Sequence, residues 1–276
     1  MNSLEKIDTH IHGNYSSDSI LDYRKLCQKA IAQNYKVIAF TEHYDLIESE
    51  IIEYGLLPYK KYFRELDEIK KEFPDLEIIT GIEMGEPHIT GNIAKRLFQN
   101  NSPEYVIGSL HVTREGLNVS LKLNRPITKE EVRQYYEENL EMVHTGGFDT
   151  LGHLGIYKRG LDPAYLPDES DLLYIIDEIF REMIKKNICL EINNSGFKTK
   201  FNDFIPESKI IKRYKKLGGE LITLASDSHE LEHFDTFYDK TLDKITALGF
   251  VSLYWKKGNM WNSVDIGAKN EEKLFN

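Results

Sequence analysis

Acidic and imidazole side chains recur where the hydrophobic runs of this chain give out. In order they stand in Ile7-Asp8-Thr9-His10-Ile11-His12, Ala39-Phe40-Thr41-Glu42-His43, Ile78-Ile79-Thr80-Gly81-Ile82-Glu83, Ile107-Gly108-Ser109-Leu110-His111, Leu151-Gly152-His153 and Leu224-Ala225-Ser226-Asp227-Ser228-His229. Imidazole nitrogens and carboxylate oxygens are the ligands that zinc, manganese and iron accept. His10 and His12 are separated by one residue, so on a strand both project from one face and reach one cation. Asp227 and His229 repeat that spacing. Glu83 closes an apolar run, where a carboxylate is costly to bury unless it is paired or coordinated. A position bridging two cations would compensate it. One such group means little; delivered in succession, they point to a single convergent metal site.

Bringing these groups together is the task of the elements between them. Strand-like runs at 6–10, 37–41, 77–83, 105–111, 150–153, 188–193 and 221–226 alternate with helix-like segments at 22–33, 59–73, 89–100, 129–144, 169–186 and 207–217. In 129–144, Val132, Tyr135, Tyr136, Leu140 and Val143 fall on one helical face. Gly146-Gly147 and Gly218-Gly219 supply helix stops. Buried strands alternating with helices predict an α/β fold with a parallel sheet, and about seven such units predict a closed, TIM-like barrel. Active sites of such barrels gather at the carboxyl ends of the strands, where every ligand candidate falls. The tail after Gly249 offers 251–255 as a closing edge element, and its last residues are expected to fray. With no linker or repeat in view, residues 1–276 are expected to form a single domain.

A formal charge of -10 argues against a large non-specific nucleic-acid footprint. It allows a small anionic substrate, because bound cations reverse the local field. Cys27 and Cys189 lie in apolar segments and are expected to be buried free thiols. The chain starts polar, without an apolar signal core, and no apolar run approaches membrane-spanning length. A cytoplasmic protein without membrane contact is expected; the oligomeric state is open.

The order His10-x-His12, Thr41-Glu42-His43, Gly81-Ile82-Glu83, Gly108-Ser109-Leu110-His111, Gly152-His153 and Ser226-Asp227-Ser228-His229 resembles the polymerase-and-histidinol-phosphatase superfamily. Size and single domain resemble its stand-alone histidinol-phosphate phosphatases. The resemblance implies a distorted (β/α)7 barrel with two or three divalent ions (zinc, manganese or iron). It implies that His10, His12, Glu83 and Asp227 hold the first ion, Glu83, His111 and His153 the second, and Asp18, His43 and His229 the third. Many relatives carry a histidine where this chain has Asp18, and an oxygen ligand favours manganese or iron over zinc. Asp18 also reads as a turn residue in Asn14-Tyr15-Ser16-Ser17-Asp18-Ser19.

The chemistry implied is phosphomonoester hydrolysis, with hydroxide held by a bridged pair of cations attacking phosphorus in line. No protein nucleophile motif is present. Histidinol phosphate is the implied substrate, in histidine biosynthesis. A phosphodiesterase or exonuclease, another small-molecule phosphatase and a non-catalytic metal-binding protein are the alternatives. Arg159 either clamps the phosphate or is an ordinary exposed loop arginine. Glu115, on the loop after His111 with Arg114, is a candidate to receive the cationic end of the substrate, as are Glu42 and Asp45. Glu191 and Asn193 share one strand face and either orient a metal-bound histidine or serve the barrel core. His88 either lines the pocket or has a surface or capping role. His144 suits a helix C-terminus, and His233 a surface helical turn.

Overall fold

The structure, a computed structural model, describes residues 5–98 and 102–267. Seven short runs rich in Ile, Val, Leu and Thr pair in chain order into one parallel sheet: β1 (Lys6–Ile11), β2 (Tyr35–Tyr44), β3 (Glu77–Gly85), β4 (Tyr105–Ser109), β5 (Thr150–Leu151), β6 (Cys189–Asn193) and β7 (Ile222–Ala225). The two ends of the sheet meet. The Asp227 amide donates to the His10 carbonyl at 2.9 Å and the His12 amide to the Ser228 carbonyl at 3.0 Å. A parallel bridge between Ile11 and Ser228 completes the seam. The result is the expected seven-stranded barrel. It is distorted: β5 has only two residues, and the register of β1 on β2 slips between Asp8 and Ile11, the stretch carrying His10.

Because both faces of such a sheet are covered, its strands read as nearly continuous buried runs. From Val37 to Tyr44 every residue of β2 is buried. The outer layer consists of α1 (Tyr23–Ala32), α2 (Glu48–Tyr54), α3 (Tyr59–Glu72), α4 (Pro87–Leu97), α5 (Lys129–Thr145), α6 (Leu173–Lys186), α7 (Ser208–Lys216) and α8 (Tyr238–Ala247). Local chemistry starts these helices. The Asp22 carboxylate accepts from the Lys25 amide at the head of α1, and Thr128 with Glu131 forms a reciprocal cap on α5. Asn187 ends α6 in the left-handed region (φ 58°). Tyr62 on α3 ties helix to sheet, its hydroxyl donating to the carbonyls of Phe40 at 2.8 Å and Gly81 at 2.9 Å.

Several expectations are corrected here. β2 runs on past Thr41 through Glu42 and His43 to Tyr44, and β3 runs past Glu83 to Gly85. α2 and α8 are additional helices. The segment at 251–255 does not extend the barrel: β8 (Ser252–Lys257) pairs antiparallel with β9 (Met260–Asp265) in a separate two-stranded sheet. Contacts of Lys257 with Glu77 (2.6 Å) and of Lys256 with Asp149 tie this hairpin to the amino-terminal end of the barrel, away from the ligand candidates. The helix expected at 89–100 begins at Pro87; residues 99 and 100, like the tail from 268 onward, lie outside the described residues. Cys27 and Cys189 are buried and unpaired. Among the described residues no helix is long and apolar enough to cross a membrane.

Candidate metal centre and active site

Glu83, buried near the end of β3, is the hub. Its Oε2 lies 3.3 Å from His10 Nε2, 3.4 Å from His12 Nε2 and 3.2 Å from His43 Nδ1. Its Oε1 faces His153 Nε2 at 2.7 Å and His111 Nε2 at 3.2 Å. The two oxygens of one carboxylate thus divide five imidazoles into two groups. Asp227 Oδ1 joins the first, 3.5 Å from His12 Nε2 and 4.0 Å from His10 Nε2. Ligands about 2.1 Å from one tetrahedral ion stand roughly 3.4 Å apart, the spacing found here. His10 and His12 also bring their Nε2 atoms within 2.9 Å of each other. That distance is a hydrogen bond's, with one ring donating to the other.

Neighbouring charge sets the state of these groups. Burial works against the Glu83 carboxylate, but His10 and His111 outweigh it and hold the group well below the usual carboxylate range. Burial likewise opposes Asp227, which Arg159 and then His10 hold well below that range. His12 is pushed well below the usual imidazole range by burial, then by His43 and His229. A neutral imidazole is the form that binds a metal. For His10 burial acts downward, yet Glu191 and Glu83 carry it well above its ordinary value.

Asp18 comes in on the loop between β1 and α1. Its Oδ2 lies 3.2 Å from His229 Nε2 and 3.5 Å from His43 Nε2, so these three also gather. What holds the loop is Glu42. Its carboxylate accepts from the Gly13 amide at 2.6 Å and from the hydroxyls of Ser16 and Tyr23. Glu42 is therefore fully engaged behind the site and does not offer itself to a substrate cation. Alternation along β2 explains the error: His43 faces the barrel interior and its neighbour must face away. Asp45 is corrected on similar grounds. It is fully buried, with Oδ1 3.3 Å from His111 Nδ1 and Oδ2 3.3 Å from His43 Nδ1.

Other outer contacts orient the cluster. Glu191 Oε2 meets His10 Nδ1 at 2.7 Å, while its Oε1 accepts from the His153 amide at 3.1 Å and from Asn193 Nδ2 at 2.8 Å. Glu86, in the left-handed region (φ 44°), accepts from the backbone amides of His111 at 2.7 Å and Val112 at 3.0 Å. Ser109 donates to Glu83 Oε1 at 2.7 Å. Gly152 admits this packing, since a Cβ there would strike Ser109 Oγ and Ile107. Nothing in the sequence pattern singled out Glu86 or Ser109. Glu191→Gln should weaken metal binding about 10–100-fold, measured by competition with a chelator, because His10 loses its anionic partner. An unchanged affinity would refute that role.

Arg159 lies at the mouth of the cluster and donates to Asp227 Oδ2 at 2.6 Å and to Ser195 Oγ at 3.1 Å. Its neighbour Lys158 anchors the loop, with ion pairs of 2.7 Å to both Glu169 and Glu207. Glu115, by contrast, is exposed in a turn after His111 and lines none of the cavities at the cluster. Arg114 beside it is paired with Glu141 on the surface. His144 is exposed at the end of α5, as expected. The His88 side chain is buried, 3.7 Å from Glu138, away from the cluster. His233, read as a surface turn residue, lines the outer cavity beside His229.

The model of the PHP domain matches residues 8–195. The chain belongs to the PHP domain family. A histidinol-phosphatase from Lactococcus lactis is 32% identical over 241 residues, covering 82% of this chain and 85% of that protein. A probable histidinol-phosphatase from Clostridium acetobutylicum is 27% identical, covering 80% and 86%. The crystal structure of histidinol phosphate phosphatase from Lactococcus lactis, complexed with zinc, L-histidinol and phosphate, superposes with a TM-score of 0.81 at 28% identity, covering 94% of this chain and all of that one. In this PHP chain the His/Glu clusters fit a metal site, by donor type and by the way Glu83 joins them.

Proposed function

We propose that this chain is a metal-dependent phosphomonoesterase that hydrolyses L-histidinol phosphate to L-histidinol and phosphate, a step of histidine biosynthesis. The observation that carries this reading is the single carboxylate, Glu83, with five imidazole nitrogens within 3.4 Å of its two oxygens. The relative that binds zinc, L-histidinol and phosphate supports the choice of substrate. His10, His12, Glu83 and Asp227 would hold one divalent ion, Glu83, His111 and His153 a second, and Asp18, His43 and His229 a third; zinc, manganese and iron all suit these donors. When bound, such ions polarise phosphoryl oxygens and lower the pKa of a water toward neutrality.

The remaining work falls to the chain's own groups. Arg159 has donors left after meeting Asp227 and Ser195, and a guanidinium suits a phosphate oxygen. Glu191, Asp45 and Glu86 hold His10, His111 and their backbone in place. Enclosure of the cluster, where His10 and Glu83 are almost wholly buried, strengthens every charge interaction there. The two buried thiols suit a reducing compartment, and the proposed location is the cytoplasm.

The test is phosphate release by purified protein loaded with zinc, manganese or iron, on a panel headed by histidinol phosphate. The reading requires histidinol phosphate to give the highest kcat/KM. Faster turnover of another monoester, or release of mononucleotides from single-stranded DNA in excess of phosphate release, would replace it.

A further inference from the structure

β6 ends in a 3-10 turn, Asn194–Lys198, whose first residues face the Arg159 side of the site. Asn193 fixes that turn, its side-chain carbonyl accepting from the Ser195 amide at 3.0 Å and from the Ser195 hydroxyl at 2.6 Å. Lys198 closes it. Together with Asp18, Asp227, His229, Arg159 and Ser195, Lys198 lines a cavity of about 310 Å³ over the cluster. One cavity therefore joins three candidate metal ligands to two cationic side chains.

Lys198 is half-buried, and its ammonium has neither a hydrogen bond nor an ion pair among the described residues. Among the described residues every other lysine or arginine that is buried or half-buried has a partner, including Lys6, Lys29, Arg133, Lys158, Arg159, Arg213 and Lys244. An ammonium taken partly out of water without an acceptor is costly. Burial pushes the Lys198 ammonium down, and attraction from Asp227 only partly restores it. Arg159 cannot stand in for that acceptor, since it carries the same charge and is already committed to Asp227 and Ser195. An incoming dianion supplies what is missing.

We infer that Lys198 is a substrate-binding residue that takes an oxygen of the phosphate group alongside Arg159. This rests on the reading of the site as a phosphomonoesterase, and it assigns Lys198 to the phosphate and not to the organic part of the substrate.

The experiment is calorimetric titration of inorganic phosphate into the metal-loaded wild type, Lys198→Met and Lys198→Arg, with metal content and Tm measured alongside. Lys198→Met should bind phosphate about tenfold to a hundredfold more weakly, the loss of one charge-assisted hydrogen bond. Its KM should rise for histidinol phosphate and p-nitrophenyl phosphate alike, its affinity for L-histidinol should hold, and Lys198→Arg should recover most of the loss. Phosphate affinity within about twofold of wild type overturns the assignment, as does a KM change confined to histidinol phosphate. Should Lys198→Met fold poorly, Lys198→Gln gives the same reading. A wild type that hydrolyses no monoester sinks the proposed function; phosphate binding that still depends on Lys198 would leave this anion site standing. A wild type that binds no phosphate overturns it.

Discussion

Glu83→Gln should cost this protein about a thousandfold or more in turnover together with part of its metal. The substitution keeps the shape of the side chain and removes one of two acceptor oxygens. In its place stands an NH₂ group, which must face either the His111 and His153 nitrogens, now near Oε1, or the His10, His12 and His43 nitrogens, now near Oε2. A donor cannot coordinate a cation, so on the proposed assignment one ion would lose its shared ligand whichever way the amide turns. The buried site also loses its central negative charge, which balances the imidazoles around it. Elemental analysis of the variant should show a lower metal content than wild type, and its kcat should fall by the stated factor. Full metal stoichiometry with turnover within about tenfold of wild type would mean that Glu83 bridges nothing.

Lys158→Met should destabilise the fold by about 3–5 kcal/mol near neutral pH. Lys158 is 2% exposed, and its ammonium lies 2.7 Å from both Glu169 and Glu207, with the Tyr157 ring beside it. Tyr157 donates to the other Glu169 oxygen. Without the lysine two buried carboxylates face each other, leaving Glu207 only its solvent-facing pair with Lys209 at 3.0 Å. Burial alone would raise the Glu207 carboxyl; Lys158 outweighs it and holds the group below its ordinary value. The sign of the pH effect follows. A carboxylate held below its unfolded pKa contributes stability above about pH 4.3, and loses it as pH falls through the folded-state value. The stability gap between Lys158→Met and wild type should therefore be widest near neutrality and narrow below about pH 4, as protons replace the missing cation. Urea unfolding at several pH values measures it. A gap under about 1 kcal/mol, or one that does not change with pH, would count against the network. Adding Glu169→Gln and Glu207→Gln to Lys158→Met should recover much of the loss, since no charge is then stranded. The residue also bears on the site: Arg159 follows Lys158 directly, so a loosened loop should raise KM more than it lowers kcat.

Much of this could be read from residue order. The alternation of apolar strand-like runs with amphipathic segments foretold seven parallel strands in chain order, because burial on both faces demands uninterrupted Ile, Val and Leu. The His-x-His spacing at the end of β1 foretold that two imidazoles share a face, since strand geometry has a period of two. That same period, applied to β2, separates Glu42 from His43, a signal present in the sequence but obscured by the apparent acidic-imidazole pair. The hairpin of β8 and β9 was less legible: apolar alternation marks a strand without naming the sheet it joins. Lys198 gave no sign at all. A lone lysine in Gly196-Phe197-Lys198-Thr199 looks like any solvated turn, and only its depth beside Arg159, without an acceptor, distinguishes it.

What the order of residues determined by itself was local: which segments are strand or helix, which faces they bury, and the donor types waiting at the strand ends. Which donors stand within reach of one another, that Glu83 stands between two groups of imidazoles, and that Lys158 meets Glu169 and Glu207 were decided only when the barrel closed. The reason is physical. Backbone geometry sets the direction of each side chain within its own element, whereas distances between groups far apart in the chain depend on how those elements pack.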